Sequence, residues 1–168
     1  MRRRPTALVL AGLGALWLAG APAPAGDGDV AGDIREAADR LLADGSHGPG
    51  DVDEALRRLL DIAARIGRDA HLPAAAQAKL GAAGAQARRL SPLDERARAT
   101  VDEAYAALNG GRAFVFPPAV ASIEQAKVYG RGQVDRSLAA LAAGRSEEAV
   151  RELLGLVCLV ITPMEVKQ

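Results

Sequence analysis

Reactive side chains are scarce in this chain. It has one cysteine, two histidines, one tryptophan, two tyrosines and two phenylalanines. Cys158 stands alone, so no internal disulfide can form. Leu156, Val157, Leu159 and Val160 surround it in sequence and point to a buried, inert thiol. A catalytic zinc takes about three protein ligands, typically histidines. His47 and His71 fall in separate polar stretches, and a turn gathering His47 with Asp44 and Asp51 is a poor substitute. Covalent haem would need Cys-x-x-Cys-His, which is absent. Neither metal nor cofactor is expected.

Nucleophilic and phosphate-binding motifs are missing too. The chain has no Gly-x-Ser-x-Gly elbow. Gly130-Arg131-Gly132 lacks the Lys-Ser/Thr pair that holds phosphate and magnesium. Ser91 and Ser146 sit where helix caps are needed. Carboxylates occur on almost every expected helix, mostly on outward faces where water solvates them. No catalytic residue is assigned, and no enzymatic activity is expected.

What the chain does have begins at its first residues. Arg2, Arg3 and Arg4 precede an apolar run from Ala7 to Ala19, followed by Ala21-Pro22-Ala23-Pro24-Ala25. A positive start, a short apolar middle and an Ala-x-Ala end describe a secretory signal peptide, with cleavage expected after Ala25. The run is short for a membrane anchor, which takes about 20 apolar residues. Membrane attachment is therefore expected only through an uncleaved leader. No cysteine follows Leu18-Ala19-Gly20 to accept a lipid. The product is expected to be exported, periplasmic or secreted. Heavy Ala, Gly and Arg usage fits a GC-rich bacterial source.

The whole chain carries 21 basic and 21 acidic residues. Losing the leader's three arginines leaves a mildly acidic mature protein. Such a surface has no general attraction for nucleic acid, and no basic stripe is visible. Residues 26–33 read as a flexible acidic lead-in, residues 34–162 as one helical domain and 163–168 as a tail. Asp27, Asp29 and Gly32 are spaced like positions 1, 3 and 6 of a calcium loop. Ala31 and Ala38 stand where that loop needs oxygen ligands, so calcium is not expected.

The fold class expected is all-α, a compact bundle of five or six short amphipathic helices. Apolar residues recur at helical spacing from Ile34 to Ala43, with Asp33 as cap. Asp51 is expected to cap a second helix carrying Val52, Leu56, Leu59, Leu60, Ala63 and Ile66, which Gly67 ends. A third runs from Pro73 to Leu90 with an alanine stripe and two glycines. That surface either packs very closely on a neighbour or is marginally helical. Ser91-Pro92 starts a fourth helix, which Asn109-Gly110-Gly111 ends. A fifth is expected over Ala119–Ala143, kinked or divided by Gly130 and Gly132. Ser146 caps a last helix that Pro163 closes.

Between the fourth and fifth helices, Arg112-Ala113-Phe114-Val115-Phe116-Pro117-Pro118 breaks the helical rhythm and reads as an extended segment over about 112–118. Tyr105, Phe114, Phe116 and Tyr129 are the aromatic residues beyond the leader, and Arg112 and Arg131 lie among them. Aromatics and arginine anchor recognition surfaces, so these six residues form the candidate binding site. The bland alternative is that both phenylalanines plug one end of the bundle.

Three functions follow as expectations. The first is a scaffold or binding protein of the bacterial envelope whose partner is another envelope protein. The second is a carrier of a small apolar ligand or cofactor, with a pocket beside residues 112–118. The third is a tetratricopeptide-like adaptor, since Glu-Ala-x-x-x-Leu-Leu recurs at Glu36, Glu54 and Glu148. Those repeats have a period of about 34 residues, whereas here the intervals are unequal.

Overall fold

The computed structural model describes residues 29–43, 48–87 and 95–164. It is all-helical, as the periodicity requires, and it packs six helices into one bundle. They are α1 (Val30–Leu42), α2 (Pro49–Asp69), α3 (Ala74–Ala87), α4 (Glu95–Leu108), α5 (Ile123–Ala142) and α6 (Ser146–Ile161). Successive helices pair from α1 through α4, and α5 pairs with α6. The helix α6 also packs on α2 and α4, and α1 closes against α5.

That central position explains the sequence of α6. Ten of its sixteen residues are buried, including every position from Leu153 to Leu159. A helix apolar on most sides belongs inside a domain. Two polar side chains of α5 enter the same interior. Ser137 donates its hydroxyl to the Ala149 carbonyl of α6 at 3.2 Å. Gln133 is 5% exposed and its amide lies against the backbone of Gly155, where a larger side chain would collide with it. No helix among the described residues is long and apolar enough to cross a membrane.

Several helix ends differ from the sequence reading, each for a physical reason. Asp29 caps α1 by accepting from the Gly32 amide at 3.0 Å, so the helix starts ahead of Asp33. Gly48 is the cap residue of α2, with Pro49 as first helical residue. Asp51 sits inside the first turn and accepts from the Gly48 amide at 3.1 Å. Gly67 does not end α2. A Cβ there would stand 2.7 Å from Leu80 and 2.9 Å from Leu72, so this glycine makes room for two leucines. Likewise α5 passes through Gly130 and Gly132 without a break, and Ser122 caps it by accepting from the Gln125 amide at 3.2 Å. Arg145, not Ser146, is the cap position of α6. Gly144 adopts φ +71° after α5, a conformation that side chains resist. The expected Ser91-Pro92 helix start lies outside the described residues.

Candidate functional site

Residues 112–117 are non-helical and cross from the end of α4 toward the start of α5. Three of the six candidate residues meet there. Tyr105 of α4 and Phe114 pack edge to face, with ring centroids 5.5 Å apart. Phe114 and Phe116 do the same at 5.6 Å. Such pairs add about 1 kcal/mol each beyond the area they bury. All three rings are half-buried and rest against the apolar core.

The other three candidates go elsewhere. Arg112 is exposed. Arg131 reaches back to the end of α1, donating Nη2 to the Leu42 carbonyl at 3.3 Å. A cation at a helix C-terminus meets its unsatisfied carbonyls and its dipole. Tyr129 lies under the Arg136 guanidinium, 5.6 Å from ring centroid to Cζ. Arg136 in turn donates to Glu152 Oε2 at 3.0 Å, and that carboxylate holds the guanidinium above its ordinary pKa.

Sequence reasoning offered a ligand pocket beside residues 112–118 as an alternative but named none of the residues opposite Phe116. A cleft of about 370 Å³ opens between the end of α1 at Leu41 and Leu42, the start of α5 at Ile123 and Lys127, and the end of α6. Phe116 forms part of its wall, and Val160, Thr162 and Met164 belong to the α6 side. A shallower groove of about 320 Å³ lies on another flank of α5, lined by Val120, Val128 and Tyr129. Three large apolar side chains stay well exposed among the described residues. They are Val115 at 78%, Ile123 at 68% and Val128 at 68%. All three fall within or beside the aromatic segment.

The thiol also differs from its sequence reading in one respect. Cys158 is fully buried, but its surroundings are not wholly apolar. Its Sγ lies 3.6 Å from Asp102 Oδ1 of α4. Burial first, then the Asp102 charge, pushes the thiol pKa far above its ordinary 9.0. A nearby anion opposes thiolate formation. The Tyr105 phenol is raised as well, chiefly by burial.

Cys158 links folding stability to pH. The unfolded thiol ionises near 9, whereas the folded thiol stays protonated. Stability should therefore be intact below pH 9 and fall as pH rises above it. Cys158→Ala is expected to flatten that alkaline loss relative to the wild type in denaturant titrations at pH 8 and pH 10. Equal slopes for both proteins would show that the thiol is already free to ionise in the folded state.

Among the described residues, no group of three His, Cys, Asp or Glu side chains gathers as a metal site would require. His71 is exposed, and the arrangement with His47 and Asp44 lies outside the described residues. Comparison with known protein families, curated proteins and solved structures finds no match.

Proposed function

We propose that this protein is an exported, non-catalytic binding protein of the bacterial envelope that holds a protein partner on the face built by residues 112–129. The observation that carries this reading is the placement of Val115, Ile123 and Val128. Large apolar side chains left in water cost free energy, and clustered ones mark interaction surfaces. Here Val115 lies between Phe114 and Phe116 of the ladder that holds the non-helical segment against the bundle, Ile123 lines the cleft walled by Phe116, and Val128 borders the groove on the other flank of α5. Aromatic packing beneath an apolar rim lets a loop present a fixed surface at little ordering cost. The arginine-led leader supports export.

The double variant Val115→Asp/Val128→Asp tests the surface. Both positions are exposed, so each change should alter folding stability by no more than about 0.5 kcal/mol. The wild-type protein, immobilised, is expected to retain a specific protein from envelope extract. The double variant should retain at least about tenfold less, since two charges would be buried unpaired at the contact. Equal retention by both proteins, or none by the wild type, would overturn the reading.

A further inference from the structure

The non-helical segment carries backbone groups that the bundle does not use. We infer that the protein partner docks on residues 113–116 by adding an extended strand, held there by main-chain hydrogen bonds. The inference rests on the reading of residues 112–129 as a contact face and names the part of the partner that meets it.

The segment has the form of a strand. Phe114 and Phe116 turn inward against the core, with their rings 5.6 Å apart. Ala113 and Val115 are exposed. Side chains that alternate between inward and outward, residue by residue, have the period of an extended chain. The prolines enforce it. A residue before proline is driven out of the helical region, which applies to Phe116 before Pro117 and to Pro117 before Pro118.

Its main-chain polar groups are unpaired. Among the described residues, none hydrogen-bonds to the backbone N–H or C=O of Ala113, Phe114, Val115 or Phe116. The bonds on either side stop short of them. The Arg112 amide donates to the Asn109 carbonyl at 3.3 Å, and the Val120 amide donates to the Pro117 carbonyl at 2.8 Å. A strand with a free edge is a template for a second strand. Charged side chains are the usual guards of such an edge, and none stands between Arg112 and Glu124. Pro117 and Pro118 have no N–H, so the ladder ends at Phe116.

The Tyr105–Phe114–Phe116 ladder already fixes the receiving strand, which lowers the ordering cost of pairing. An incoming strand sets a side chain beside Val115, where a β-branched residue packs best. A second copy of this chain would bring only the same short segment, tied by the same ladder to its own bundle. A partner's longer strand has no such tether. It can continue over the groove that starts at Ala119, directly after Pro118, and includes Val120 and Val128.

The peptide Lys-Thr-Val-Thr-Val-Thr-Val-Lys, added to the full chain, tests this against the same peptide N-methylated at every residue between the lysines. The unmodified peptide is expected to bind and to slow hydrogen exchange at least about tenfold at one alternate pair of amides, either Ala113 and Val115 or Phe114 and Phe116. The other pair should keep its rates, because successive amides of a strand point to opposite edges. The methylated peptide keeps its side chains but loses its central donors, and should bind at least about tenfold more weakly. Absence of binding, protection of all or none of these amides, or equal affinity of the methylated peptide would each overturn strand addition. So would slowing of the same amides by higher protein concentration alone, which would assign the edge to a second copy. The two readings fail separately. A protein retained from envelope extract with no amide protection by the peptide would leave the contact face standing without the strand. Peptide binding with nothing retained would remove the protein partner instead.

Discussion

Leu156→Ala is expected to lower the unfolding free energy by about 3 kcal/mol and the melting temperature by about 10 °C. Leu156 is fully buried on α6, the helix that packs on α2, α4 and α5. Its partner across the interface is Gly130 of α5. A Cβ on Gly130 would stand 3.0 Å from Leu42 Cδ2, 3.1 Å from Leu156 Cδ1 and 3.4 Å from Leu159 Cδ2. Three leucines from two helices thus close over one glycine. Truncating Leu156 leaves a cavity that this rigid surround cannot fully close.

The same contact predicts a reversal of sign. In the wild type, Gly130→Ala gains about 1 kcal/mol of helix propensity but crowds two leucine methyls, which costs about 2 kcal/mol. The net is a loss of about 1 kcal/mol. In the Leu156→Ala background the Leu156 contact is gone and the space it leaves lets the Leu42 methyl give way, so the crowding is relieved and the added methyl occupies part of the cavity. Gly130→Ala should then stabilise by about 1 kcal/mol. Equilibrium denaturation of the four proteins measures this coupling, about 2 kcal/mol. An identical effect of Gly130→Ala in both backgrounds would show that Gly130 and Leu156 do not share the space.

That pair also shows where sequence reading stops. The six helices were legible because their apolar residues recur every three or four positions. The stripe through Leu56, Leu59, Leu60 and Ala63 is buried along its length, as that spacing demands. Gly67 and Gly130 were legible only as glycines. A glycine that ends a helix and one that admits a neighbour have the same symbol, and the difference is supplied by residues far away in sequence. Leu72 and Leu80 decide it for Gly67, and Leu42 and Leu156 for Gly130.

The candidate site divides in the same way. Scarcity made the aromatics conspicuous, and Tyr105, Phe114 and Phe116 do come together. Arg112 is exposed and Arg131 turns to the end of α1, while Tyr129 packs under Arg136 although it lies near enough to act on the Tyr105 phenol. A pocket beside residues 112–118 was one sequence expectation, but its far wall gave no local signal, because Leu41, Leu42 and Val160 sit in ordinary helical stripes. What makes them line a cavity is that α1 and α6 end at the same level, beside the start of α5. Ile123 and Lys127 are one helical turn apart on α5, so both can serve one wall. Gln133 was equally hidden: its burial follows from the absence of a side chain on Gly155.

The alanine-rich third helix left two outcomes open, close packing or marginal helicity, and α3 takes the first. Gly84 is buried, and a Cβ there would lie 3.2 Å from Ala64 Cβ and 3.7 Å from the Leu60 carbonyl of α2. The two helices approach through small residues on both sides. Gly84→Val is therefore expected to destabilise by about 3 kcal/mol. A branched side chain cannot fit without driving α2 and α3 apart, and its helix propensity is little better than glycine's. Gly81, one turn earlier, is exposed, with nothing within 4 Å of the position a Cβ would take. Gly81→Ala should stabilise by about 1 kcal/mol, through lower backbone entropy in the unfolded chain. Two glycines in one helix thus have opposite consequences, set only by which face meets α2. Stabilisation by both substitutions in urea titrations would mean that α3 owes its helicity to alanine content, and that its contact with α2 contributes nothing.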